Sequence, residues 1–165
     1  MGGMAGLRLT AADYRALAEF RYQLRRFLSF SEEAARSTGL EPQQHQLLLG
    51  VKGLSRGRPA TIGALADWLH LRHHSMVELV DRTEARGLVR RERGEGDRRQ
   101  VLVRLTALGE SLLSRLALVH RAELRIVGPA LLRALRTLEV PRMPGRVRLS
   151  LVRNPPRTLR VGHGR

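Results

Sequence analysis

Asp67, His70 and His74 have the types and spacing of a metal site, because steps of 3 and 4 along one helix align a carboxylate with two imidazoles. Leu71-Arg72 breaks that helix and takes His74 off the shared face. With no cysteine and no His-Glu-x-x-His motif, His70 reads as a surface or turn residue, and neither a metal nor any other cofactor is expected. Gly94-Glu-Gly96 is a turn and not a phosphate cradle, since no helix N-terminus follows it. No nucleophile or paired carboxylate stands out, so catalysis is not expected. Guanidinium chemistry is what remains. Arg98 and Arg99 sit on a tight glycine-rich turn, from which an arginine can enter a groove about 6 Å wide that a helix cannot.

The charge agrees with a polyanionic partner. The 165 residues carry 30 basic and 15 acidic side chains, a net charge of +15, and Lys52 is the only lysine. Residues 140–165 hold seven Arg, four Pro and no acid, which leaves residues 1–139 still at +8. An apolar share of 42% is enough for a real core, so disorder throughout is excluded. The longest uncharged stretch, Pro42 to Val51, is too short to cross a bilayer. Arg8, Asp13 and Arg15 interrupt any signal-peptide core, and a cytoplasmic location is expected.

The elements follow from periodicity and punctuation. Leu17, Phe20, Leu24 and Phe27 recur at helical spacing within a long amphipathic helix over 11–36, ended by Gly39. Glu41-Pro42 starts a second helix whose buried face is Leu47, Leu48, Val51 and Leu54. Thr61 caps a short helix through Leu69, and another runs from His73 to Arg86 with Met76, Leu79, Val80 and Thr83 on one face and Gly87 as its stop. The period then drops to about 2 on either side of the Gly94-Glu-Gly-Asp97 tip, as in a β-hairpin. Thr106 caps a helix with Leu108, Leu112, Leu116 and Val119 in line through Val127; Gly128-Pro129 is expected to interrupt it before a last short helix bearing Leu131, Leu135 and Leu138.

Two short helices joined by a tight turn and followed at once by a hairpin form a winged helix-turn-helix, whose second helix fits the DNA major groove while the wing reaches the backbone or minor groove. Burial of one face of that second helix leaves His74, Ser75, Val77, Glu78 and Arg82 outward, with His73 at its start. His and Ser donate or accept, Val77 suits a thymine methyl, Glu78 accepts from cytosine N4, and Arg82 suits phosphate.

Read from Thr61 to Thr106, the sequence resembles the MarR family of bacterial transcriptional regulators. LVDRTEARGLVRR (Leu79 to Arg91) is similar to that family's recognition-helix end and first wing strand, and DRRQVLVRLT (Asp97 to Thr106) to its wing signature. Arg72 departs from the family, standing where a Ser or Thr cap is usual. The resemblance implies that Asp97 holds a wing arginine while Arg99 enters the minor groove, with Arg98 beside it to share the role. It also implies a fold that is mainly α with a small β-hairpin wing, a DNA-binding module (59–105) flanked by dimerisation helices (11–58 and 106–139). Residues 1–10 are expected to be a disordered N-terminus and 140–165 a poorly ordered basic tail, either a frame artefact or a phosphate-tracking arm. The implied function is a homodimeric repressor on a pseudopalindromic double-stranded DNA operator, released by a small organic effector. Tyr14, Phe20, Tyr22, Phe27, Phe30 and His45 are the candidates for lining an effector pocket. The rival reading is an architectural protein that coats nucleic acid by charge alone.

Overall fold

The computed structural model describes residues 9–54, 59–94 and 100–138. Asp97, Arg98 and Arg99, the N-terminus before residue 9 and the tail after residue 138 lie outside them. Five helices and one hairpin follow in the order α1 (Ala11–Ser37), α2 (Pro42–Leu54), α3 (Ile62–Leu69), α4 (His73–Ala85), β1 (Val89–Arg93), β2 (Val101–Leu105) and α5 (Ala107–Thr137).

Local chemistry sets the boundaries. Thr10 and Asp13 form a reciprocal capping box at the start of α1, and the hydroxyls of Thr61 and Thr106 accept from Ala64 N–H and Gly109 N–H to start α3 and α5. Three helices end in the same way. After α1, α3 and α4 the chain makes a 5→2 and a 6→1 hydrogen bond: Gly39 N–H to Arg36 O and Leu40 N–H to Ala35 O, His70 to Asp67 and Leu71 to Ala66, Gly87 to Glu84 and Leu88 to Thr83. The turn residue is left-handed each time, and at the α3–α4 turn that residue is a histidine, His70, with φ 54°. Leu40 and Leu88, which follow two of these turns, are buried, so each stop also supplies a core side chain.

The core is built around α2. Leu47, Leu48 and Val51 meet Leu65 of α3, Met76, Leu79 and Val80 of α4, Val89 and Val103 of the hairpin, and Leu113 and Leu116 of α5. The hairpin is antiparallel with Val89 opposite Leu105 and Arg91 opposite Val103. Its free edge is tied to the segment before α3, where Val103 N–H donates to Ala60 O at 2.8 Å and Thr61 bridges Leu102.

One expectation about the long helices is corrected. Gly128-Pro129 does not divide α5, which runs through Pro129 to Thr137 as one helix. A proline removes one ladder bond, and buried Val127 and Ala134 on either side hold the helix in line. The leucine seams of α1 and α5 do not face their own chain. The two helices run antiparallel, Ser31 beside His120 and Arg26 beside Glu123, and their buried residues are Ala16, Gln23, Ser31 and Ala35 on α1 and Leu113, Leu116, His120, Val127 and Ala134 along α5. Small side chains allow the close approach, and Leu17, Leu24, Leu108 and Val119 are left exposed.

Candidate nucleic-acid interface

The α3–turn–α4 unit presents one face of α4 to solvent. Met76, Leu79, Val80 and Thr83 are buried as the spacing required, and the Thr83 hydroxyl returns to the Leu79 carbonyl at 2.6 Å. Opposite them, His73, His74, Glu78 and Arg82 are exposed and Ser75 and Val77 half-buried, so the six candidate base-reading residues share the outer side of one helix. Arg72 is the N-cap with extended backbone and no side-chain cap bond. The first turn of α4 therefore has its N–H groups open to an anion, which suits a phosphate. With His70 in the left-handed turn and His74 on the next helix, the Asp67, His70, His74 set is not on one helix face.

The hairpin is fastened to α4 by Arg91. Its backbone N–H donates to Glu84 Oε1 at 2.7 Å, and its guanidinium reaches Glu84 Oε2 and, at 2.5 Å, Asp81 Oδ1. Burial works against the charge of Arg91, but the two carboxylates outweigh it and raise its pKa above the usual arginine value. On the other face of the hairpin Glu92 lies between Arg90 and Arg104, which are directly opposite across the strands, and relieves their repulsion. Helix α4 and the hairpin are thereby held as one body.

A cleft of about 440 Å³ lies behind this body, between α1, α2 and α5. Phe27 and His45 line it, together with Leu28, Ser31, Leu49, His120 and Arg121. The other sequence candidates are elsewhere: Tyr14 and Tyr22 are 62% and 56% exposed, Phe20 is half-buried outside the lining, and Phe30 meets His120 edge-on at 6.1 Å without reaching the cleft. The residue that sequence reasoning missed is His120. Its Nδ1 donates to Leu116 O at 2.6 Å, its Nε2 is hydrogen-bonded with the Ser31 hydroxyl at 2.8 Å, and its ring stacks on His45 at 4.8 Å and 9°. Burial first, and the charge of His120 second, push the His45 pKa down to about 4. The available signal was a histidine in step with Leu113, Leu116 and Val127 on an otherwise apolar stripe.

The MarR family model matches residues 38–100, from the α1–α2 turn into the wing. No curated protein matches the chain by sequence. Among solved structures, a MarR family protein from Bacillus stearothermophilus superposes with a TM-score of 0.63 at 24% identity, covering 79% of this chain and 96% of that one. A mutant of MepR from S. aureus, bound to an oligodeoxyribonucleotide, gives 0.58 at 17% identity over 80% of this chain and all of its own. CouR from Rhodococcus jostii, bound to p-coumaroyl-CoA, gives 0.55 at 23% identity over 72% and 87%. At these identities the likeness is one of fold, five helices with a two-stranded wing.

Proposed function

We propose that this chain, whose residues 38–100 match the MarR family model, is a MarR family sequence-specific DNA-binding transcriptional regulator, acting as a homodimeric repressor on a pseudopalindromic operator. The observation that carries the reading is the two-sided helix α4: its four inward side chains are fully buried, its outward residues are polar apart from Val77, and Arg91 ties the helix to the hairpin through Asp81 and Glu84. His73, His74, Ser75, Val77, Glu78 and Arg82 read the major groove, and Asp97 holds a wing arginine while Arg99, with Arg98 beside it, enters the minor groove. The function is binding, not catalysis. Among the described residues no helix is long and apolar enough to cross a membrane. The cytoplasm, where the chain meets DNA, is its proposed location. A small organic effector bound in the cleft releases the operator by favouring a different spacing of the two recognition helices. The neighbour bound to DNA and the neighbour bound to an acyl-CoA support both halves of this reading.

Selection from a pool of random duplexes tests it. The expected product is an inverted repeat with half-sites about one turn, roughly 34–36 Å, apart. Replacing Arg98 and Arg99 with Ala should then weaken binding and lower the slope of log K against log salt by up to about two charges. Recovery of no preferred sequence, with affinity set by duplex length alone, would instead establish the charge-coating alternative.

A further inference from the structure

Arg86 is the last-turn residue at which α4 ends, and its side chain turns away from the DNA-reading face. One guanidinium nitrogen, Nη1, donates to Gln44 Oε1 at 2.5 Å and the other, Nη2, to the Gly39 carbonyl at 2.6 Å. These acceptors are 42 and 47 residues away in sequence and belong to the start of α2 and the turn that ends α1. Gln44 is 1% exposed, and the same Oε1 accepts from Glu41 N–H at 3.2 Å, so it is fixed by the helix start it caps. The next residue along α2 is His45, which lines the cleft and stacks on His120. One turn of α2 therefore touches the cleft on one side and the recognition helix on the other.

We propose that Arg86 is a positioning residue: it ties the end of the recognition helix to the α1–α2 junction and transmits to that helix any displacement of α2 caused by filling the cleft. The idea rests on the regulatory reading above, but its first test does not need DNA. A planar fork with two nitrogens on two separate acceptors fixes direction as well as distance, which a lysine ammonium does not. Coupling of this kind is established by a thermodynamic cycle and not by proximity.

The probe is Ala117→Trp, which fills the cleft from α5, with Ala117→Phe as the smaller alternative should the first not fold. Amide hydrogen exchange along α4 is measured in the full chain, with Arg86 or Arg86→Ala, and with Gln44→Met as an independent way to cut the link. Filling the cleft should change exchange in the last turn of α4 several-fold when Arg86 and Gln44 are present, and should have no effect on it in either cut background. The same change persisting in the cut backgrounds, or none in any background, would overturn the proposal. Once a preferred duplex is in hand, Arg86→Ala should lower affinity about 5–50-fold with the salt slope unchanged. A slope smaller by about one would make Arg86 a phosphate contact instead. Failure to recover any duplex counts against the regulatory reading and leaves the exchange result to decide the role of Arg86.

Discussion

His45 shows how a single side chain makes the fold depend on pH. Its ring is 4% exposed, pressed flat on His120, and its pKa is pushed down from 6.5 to about 4. In the unfolded chain the imidazole takes a proton near pH 6.5, and in the fold only near 4, so between these values the unfolded state binds more protons. The stability that His45 contributes is thus complete above about pH 6.5 and is lost as the pH falls toward 4, by at most about 1.4 kcal/mol per pH unit. Arg121 lines the same cleft and adds a charge of the same sign as the incoming proton. Urea denaturation at a series of pH values between 7 and 4 should show this slope in the parent chain and a shallower one in His45→Phe. Parallel profiles for the two proteins would contradict it.

At the scale of elements, the start of α5 packs closely on the backbone of Leu88, just before β1. Thr106 donates from its hydroxyl to Gly87 O at 2.6 Å and from its backbone to Leu88 O at 3.1 Å, which brings Gly109 against β1. A Cβ at Gly109 would lie 2.0 Å from the Leu88 carbonyl oxygen, a backbone atom that cannot swing aside. Gly109→Ala should therefore destabilise the chain by about 3 kcal/mol or more, although alanine favours helices, and thermal melts would register it. The sequence made the winged module legible because its boundaries are punctuated: Thr61, Gly87 and Thr106 act locally, and the spacing of Met76, Leu79, Val80 and Thr83 allows one buried face. Gly109 was not legible, since the residue it meets is 21 positions away and only the packed structure brings them together. The same holds for α1 and α5. Periodicity found their leucine seams, but it cannot say which neighbour a stripe faces, and the chain's own contact uses the small residues beside them. Pro129 misled for a related reason: its local cost is outweighed by burial on either side. His120 escaped because its partners, Ser31 and His45, lie on two other helices.

For the whole molecule, the exposed seams are apolar surface that the described residues leave uncovered. Tyr14, Leu17, Leu24 and Leu28 on α1 and Leu118, Leu124, Ile126, Leu132 and Leu135 on α5 are each more than a third exposed. Leu116, in line with Leu108, Leu112 and Val119 on the helix that the family resemblance assigns to dimerisation, belongs to the chain's own core at 2% exposure. Leu17, Leu24 and Val119 are exposed and available to a partner chain. Sedimentation should show a dimer at micromolar concentration, and Leu118→Glu with Leu132→Glu should give a monomer with much weaker operator binding. A folded monomer of the parent chain would remove the dimer from the proposal. Deleting residues 140–165 should leave operator affinity little changed at physiological salt, whereas a phosphate-tracking arm would be revealed by weaker binding and a smaller salt slope.

Trp68 gives the molecule an optical property. It is the only tryptophan in the chain, 55% exposed on α3, with its ring edge over Gly50, where an added Cβ would stand 3.1 Å from Cδ1. The first helix of a helix-turn-helix crosses the nucleic-acid backbone, so docking would exclude water from this indole. The unlabelled protein should then report its own binding as a blue shift in emission during a duplex titration. Trp68→Phe should abolish the signal while leaving the core of α3, Leu65 and Ala66, in place.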